Sequence, residues 1–237
     1  MTPKSKMDKN PSKIAEMFNS IAFCYRFVSR SMSFGLDKKW RKRAVKLLKD
    51  IKNPVILDVA TGTGDLAIEL TKLNPISVYA IDISTKMLEK ATQKNIKKRL
   101  QMTIFPKVAS AENLPFENNS FHAVTVAFGV RNFDNLEKGL QEIYRVMKPK
   151  GRVIILEISV PTKKLVKQLY HFYLTKIIPW WGGMISGKRS AYKYLSKSVL
   201  NFPNSEEFEK ILTQIGFKVV ETIKMTFGVV TIYCGEK

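Results

Sequence analysis

The sequence predicts an α/β protein built on a mostly parallel seven-stranded sheet with helices on both faces. Short runs rich in Val and Ile recur through the centre of the chain, and longer helical segments separate them at regular spacing. The first of these runs leads straight into a glycine turn, "TGTGDL". With 237 residues, 45% of them hydrophobic, the chain can bury one substantial core, so a single domain spanning 1–237 is expected.

Residues 1–52 are polar and basic and read as an N-terminal helical lid. A helix is predicted from about Pro11 to Phe23, where Ile14, Met17, Phe18 and Ile21 recur at helical spacing, and another from Asp37, read as its N-cap, to Leu48. Residues 53–159 form the core. The strands "VILDVA", "SVYAID", "MTIFPKVA", "FHAVTVAF" and "GRVIILEIS" alternate there with helices expected at 65–73, 84–98 and 134–148. After Pro161 the alternation breaks, and residues 160–204 read as a cap inserted after the fifth strand. Between Ser159 and Ser205 stand eight Lys/Arg and no acid, interleaved with aromatics such as Tyr170, Tyr173, Trp180 and Tyr194. Residues 205–237 close the fold with a helix near 205–215 and the strands "FKVVETIKM" and "FGVVTIYCG".

A formal charge of +20, from 40 Lys+Arg against 20 Asp+Glu, is large for this length and points to anionic surroundings. Nucleic acid, an anionic membrane surface and an acidic substrate all satisfy it. No apolar run reaches the roughly 18 residues that span a bilayer, and the polar start lacks a signal peptide's apolar segment, so a cytoplasmic protein is expected. Cys24 and Cys234 lie in apolar contexts without metal-ligand spacing and read as reduced core residues; no metal site is expected.

Parallel sheets bind ligands at the carboxyl ends of their strands, which is where the glycine turn lies. Gly62, Gly64 and Ala67 satisfy G-x-G-x-x-[GA], and Asp82 ends the next strand about 20 residues on, as a ribose-binding acid should. A dinucleotide fits those features, but Asp58 and Asp65 oppose it. A pyrophosphate docks on the N-terminus of the following helix, and Asp65 puts a carboxylate there. Two charges about 4 Å apart at an effective dielectric near 20 interact by roughly 4 kcal/mol. S-adenosylmethionine carries no phosphate and has a sulfonium and an ammonium group beside its nucleoside. Asp58 and Asp65 suit its amino-acid end, Asp82 its ribose, and the small Ser110 and Ala111 after the third strand leave room for the adenine.

At these residues the chain resembles the C-methyltransferases of menaquinone and ubiquinone biosynthesis. The stretches "YRFVSRSMSFGLDKKWR" (25–41), "LDVATGTGDL" (57–66), "AFGVRNF" (127–133) and "YRVMKPKGRVIILEIS" (144–159) carry the match over nearly the whole length. The resemblance implies a Rossmann-like class I methyltransferase fold, S-adenosylmethionine as methyl donor with Thr63, Asp82, Ser110 and Ala111 among its contacts, and a polyprenylated quinol as acceptor. Demethylmenaquinol is the expected acceptor; the benzoquinol precursor of ubiquinone and, on charge, RNA are the alternatives. The stretch that usually reads Y-D-x-M-N has Arg26, Val28 and Ser29, the usual His-Arg pair is Asp37-Lys38, Lys150 stands where a glycine is usual, and Ala127 where some members have serine.

Carbon methylation needs a ring activated by loss of a phenolic proton. Arg131, just after the fourth strand, is the first candidate to stabilise the phenolate, and Asn132 to orient the ring oxygen. The competing reading pairs Arg131 with an acid such as Glu157. His171 could act as a base but reads better as a packed residue, and His122 reads as structural. No N/D-P-P-Y/F stretch follows the fourth strand, which argues against base-amine methylation, so no nucleic acid partner is expected. The acid-free aromatic segment suggests peripheral attachment at the inner face of an anionic membrane. A homodimer is left open.

Overall fold

The computed structural model describes residues 7–237, the side chains of Val219 and Val220 excepted; residues 1–6 of the expected lid fall outside it. Seven strands form one sheet: β1 (Val55–Val59), β2 (Ser77–Asp82), β3 (Ile104–Val108), β4 (Phe121–Ala127), β5 (Met147–Ile158), β6 (Lys218–Met225) and β7 (Val230–Glu236). Their order is β3-β2-β1-β4-β5-β7-β6, with β1 to β5 parallel and β7 antiparallel to both of its neighbours. The chain leaves β1 toward β2 on one side and reaches β4 on the other, so a crevice opens at their carboxyl ends. Pro106 cannot donate to a ladder, and it is tolerated because β3 is the sheet's edge.

Alternation along the strands sends side chains to two layers. Leu57, Val59, Val124 and Val126 pack against α6 (Leu136–Val146) and α10 (Ser205–Ile215) through Leu140, Ile143, Phe208 and Leu212. Ile56, Val78 and Ala123 face the other way, onto α3 (Asp37–Lys46) and α4 (Asp65–Leu70) through Trp40, Val45, Leu66 and Leu70. A third cluster joins the first helices, α1 (Pro11–Ile21) and α2 (Tyr25–Met32), to α5 (Thr85–Lys97) and to the segment after β5, where Leu174, Ile178, Ala191 and Val199 are buried. That segment holds α7 (Lys164–Phe172), a π-helical turn (Tyr173–Ile177), α8 (Ile178–Ser186) and α9 (Arg189–Asn201).

Some boundaries differ from the sequence reading. α1 stops at Ile21, and α2 was not foreseen: Val28 is its one buried residue, so it shows little apolar period. Asp37 does not cap α3. The backbone is already helical at Leu36, and the Asp37 carboxylate instead accepts from Ser33 Oγ at 3.1 Å and pairs with Arg41 one turn on. β5 starts at Met147, four residues before the expected strand, because Met147 pairs with Phe121 of β4 before the chain bulges and pairing resumes at Arg152. Lys150 sits in that bulge at φ +62°, a conformation that favours the glycine usual there. His122 is structural: its Nδ1 accepts the Val55 amide at 3.0 Å. Both cysteines are buried free thiols, and no described helix is long and apolar enough to cross a membrane.

Candidate active site

The crevice at the ends of β1 and β4 is a cavity of about 250 Å³. Asp58, Gly62, Thr63, Asp65, Asp82, Ser110, Ala111, Arg131 and Asn132 all line it. Gly64 does not. It holds a left-handed conformation at the N-terminus of α4, where a Cβ would lie 3.0 Å from that of Ala91, so it shapes the turn from behind.

Backbone geometry builds the strand-end half. After β1 the chain turns through Ala60 at φ +54° and Gly62 at φ +56°, and Thr61 N donates to Ile81 O at 2.9 Å. Asp82 pins this turn: it accepts Gly62 N on Oδ2 and Ser84 N on Oδ1, both at 2.8 Å. Each oxygen keeps a further lone pair for a diol. Asp58 is buried and accepts from Thr61 Oγ1 at 2.6 Å and Thr125 Oγ1 at 2.7 Å. Burial pushes both carboxyls up to about 6, with these hydrogen bonds acting the other way. A Cβ on Gly62 would meet nothing within 4 Å, so the turn leaves a cradle that a ligand can enter. On the β4 side, a Cβ on Gly129 would fall 2.5 Å from that of Ala60, which is why glycine precedes "VRN". A cradle with a free carboxylate face toward a diol, small residues at Ser110 and Ala111 and buried acids suits the nucleoside and ammonium of S-adenosylmethionine.

Asp65 is not the bare anion the sequence suggested. Lys94 of α5 donates to Asp65 Oδ1 and to Thr63 Oγ1, each at 2.8 Å, and Arg26 approaches at 3.6 Å. Burial alone would raise this carboxyl, but Lys94, then Arg41 and Arg26, outweigh it and hold it below its ordinary value. The N-terminus of α4 therefore carries a matched cluster rather than a bare anion. Lys94 lies about thirty residues away along the sequence, on another helix, with no motif to flag it. Glu112 was also missed. It accepts from Ser110 Oγ and from Asp134 N at 2.8 Å, so it ties the loop after β3 to the one after β4. Ser84, which caps α5, donates to Asn19 Oδ1 at 2.7 Å and couples α1 to the end of β2.

The other half of the cavity is aromatic. Arg131 sits on a short helical turn, Val130–Asn132, and only 4% of its side chain is exposed. Its Nη1 pairs with Glu157 Oε1 at 2.7 Å, and Glu157 also accepts Ile158 N at 2.8 Å. Burial acts against the guanidinium charge, but Glu157 together with Tyr25 and Tyr194 outweighs it, and the proton affinity is raised. The competing reading is thus correct about the partner, yet Arg131 still lines the cavity, with its buried Nε unpartnered. Tyr25, Tyr170 and Tyr194 surround it. Burial raises all three phenols while the Arg131 charge opposes the shift. Tyr194 also donates to Asn132 Oδ1 at 3.2 Å.

His171 is exposed on α7 and does not line the cavity, so it is neither a base there nor a packed residue. It belongs to an outer surface where Phe27, Phe34, Leu165, Leu169, Trp180 and Met184 are solvent-exposed. Trp181 Nε1 to Ser31 Oγ at 3.0 Å, and Tyr173 OH to Met32 O at 2.7 Å, join α2 to this segment.

The ubiE/COQ5 methyltransferase family matches residues 6–237, and the chain belongs to it. It is 46% identical to the ubiquinone/menaquinone biosynthesis C-methyltransferase UbiE of Geotalea daltonii, over 98% of this chain and 99% of that one. It is 37% identical to a demethylmenaquinone methyltransferase of Bacteroides fragilis, over 99% and 96%. Among solved structures, an S-adenosylmethionine-dependent methyltransferase from Aquifex aeolicus superposes with a TM-score of 0.61 at 18% identity, covering 89% of this chain and 97% of that one. That likeness shows the class I methyltransferase fold.

Proposed function

Taking membership of the ubiE/COQ5 methyltransferase family as the premise, we propose that this chain methylates a ring carbon of a polyprenylated quinol, and that demethylmenaquinol is its acceptor. It is an S-adenosylmethionine-dependent C-methyltransferase of quinone biosynthesis. The observation that carries the acceptor reading is the aromatic half of the cavity, where Tyr25, Tyr170 and Tyr194 surround a buried Arg131 with a free Nε.

The donor supplies an electrophilic methyl group on a sulfonium. Asp82 would hold the ribose hydroxyls, Gly62 would let the backbone come close while Gly64 shapes the turn behind it, Thr63 and Asp58 would face the amino-acid end, and Ser110 with Ala111 would flank the adenine. Asp65 would act through Lys94. Across the cavity, Arg131 would stabilise the ring oxygen as its proton is lost, with Asn132 and Tyr194 orienting it. Aromatic walls exclude water and hold the ring against the methyl donor, which supplies much of the acceleration. In the same proposal, residues up to 52 form a lid, 53–159 the cofactor core, 160–204 a cap, and 205–237 the closing elements. The exposed apolar residues of α2, α7 and α8, beside Lys167 and Lys176, suit peripheral contact with an anionic membrane that delivers the prenylated substrate.

The double name of the Geotalea relative favours a methoxy-benzoquinol as the second reading. Methyl transfer from labelled S-adenosylmethionine to demethylmenaquinol, to a methoxy-benzoquinol and to bulk RNA, run side by side, tests both. Label on a ring carbon of the naphthoquinol is the expected result, and label on RNA alone refutes the assignment.

A further inference from the structure

Lys9 has no part in the site as described so far. It lies two residues before α1, in a segment that runs along the cavity, and lines the wall together with Pro11, Glu112, Arg131 and Asp134. It is partly buried, and none of the ion pairs among the described residues uses it. Burial lowers its proton affinity and Arg131 acts in the same direction, while Asp134, Glu157 and Glu112 oppose them. The ammonium therefore shares the cavity wall with Arg131 without an ion pair of its own.

The charge balance gives this position a use. Arg131 is already matched by Glu157, so the pair is close to neutral as a unit. A phenol that ionises beside it brings a new negative charge into a mostly apolar cavity, where an unmatched charge is costly. Lys9 is a cation at that wall with no short-range partner. We propose that Lys9 is an acceptor-positioning residue whose ammonium meets the ring oxygen as it becomes a phenolate, sharing the charge with Arg131. The lost proton passes to water, and Lys9 keeps its own throughout. The inference rests on the acceptor being a phenol-type ring. It also makes the segment before α1 part of the acceptor site rather than a leader to the first helix.

The test uses the full chain with S-adenosylhomocysteine and the chromogenic phenol 4-nitro-1-naphthol, whose anion absorbs in the visible. Wild type is expected to lower the bound probe's pKa below its value in water. Lys9→Met should move it back by about one unit, and Lys9→Arg should restore most of the shift. In methyl transfer, Lys9→Met should lower kcat about tenfold near neutral pH, less as the pH rises, with KM for the methyl donor unchanged. Lys9→Gln serves as a second neutral variant should Met disturb folding. Equal probe pKa values in wild type and both neutral variants would overturn the proposal, as would a wild type that leaves the probe's pKa at its value in water. A wild type that shifts the probe as expected but methylates no quinol would refute the quinol reading and leave the role of Lys9 at the oxyanion standing.

Discussion

The strand-end half of the cavity is made from short contiguous stretches of backbone, whereas the aromatic half is assembled from side chains scattered over the chain. In the first, Asp82 accepts the Gly62 amide of the turn and the Ser84 amide after β2, and Thr61 N bonds Ile81 O, so the turn and the end of β2 lock together. In the second, Tyr25, Arg131, Tyr170 and Tyr194 come from α2, the turn after β4, α7 and α9, and meet only once the helices have packed. Fixed amides suit a ligand that never changes. An acceptor wall made of side chains from separate helices can be re-shaped by substitution without touching the sheet.

The largest expected effect breaks the second half. Arg131→Met leaves Glu157 buried and unpaired and should cost about 3–5 kcal/mol of stability, read by chemical denaturation. The loss of stability should accompany loss of methyl transfer.

The next effect isolates the first half. Asp82→Ala should weaken S-adenosylhomocysteine binding, measured by calorimetry, by roughly tenfold to a hundredfold, because a charged acceptor is removed from the turn and from the ligand. Unaltered affinity would remove Asp82 from the site. The same carboxyl sets a pH dependence. With Asp82 raised to about 6, cofactor affinity should fall about tenfold per pH unit below that value as the carboxylate is protonated. In the ligand-free chain the sign reverses. Asp58 and Asp82 bind protons more tightly folded than at the ordinary 3.8, so they add stability as the pH drops from about 6 toward 3.8.

A smaller effect concerns the outer surface of the aromatic half. Lys167→Gln and Lys176→Gln should each weaken co-sedimentation with anionic vesicles at low salt by about fivefold, roughly 1 kcal/mol per charge. Cofactor affinity should not change. Smallest of all, Lys150→Gly lies outside both halves and relieves a left-handed backbone. It should raise the denaturation midpoint by an amount worth under about 1 kcal/mol.

The same division explains what could be read from the sequence. Strand alternation and the glycine turn are local signals, so the sheet, Asp58, Gly62 and Asp82 were legible within a few residues of one another. S-adenosylmethionine was inferred partly from a bare Asp65, and Lys94 withdraws that part of the reasoning while Asp82 and the Gly62 cradle sustain the conclusion. α2 was hidden because it buries one residue, and the Asp37 cap failed because helical backbone begins before it. Lys94, Glu112 and Lys9 carry no pattern at all, since each meets its neighbours across elements.

The claim that the two halves are separable is tested most directly by the double variant Arg131→Met/Glu157→Gln. Replacing both partners removes the unpaired buried charge, so its stability should return to within about 1 kcal/mol of wild type. Calorimetric titration with S-adenosylhomocysteine should then give wild-type affinity from a chain that no longer methylates the quinol. Wild-type turnover in that variant, or affinity lost together with turnover, would contradict the account.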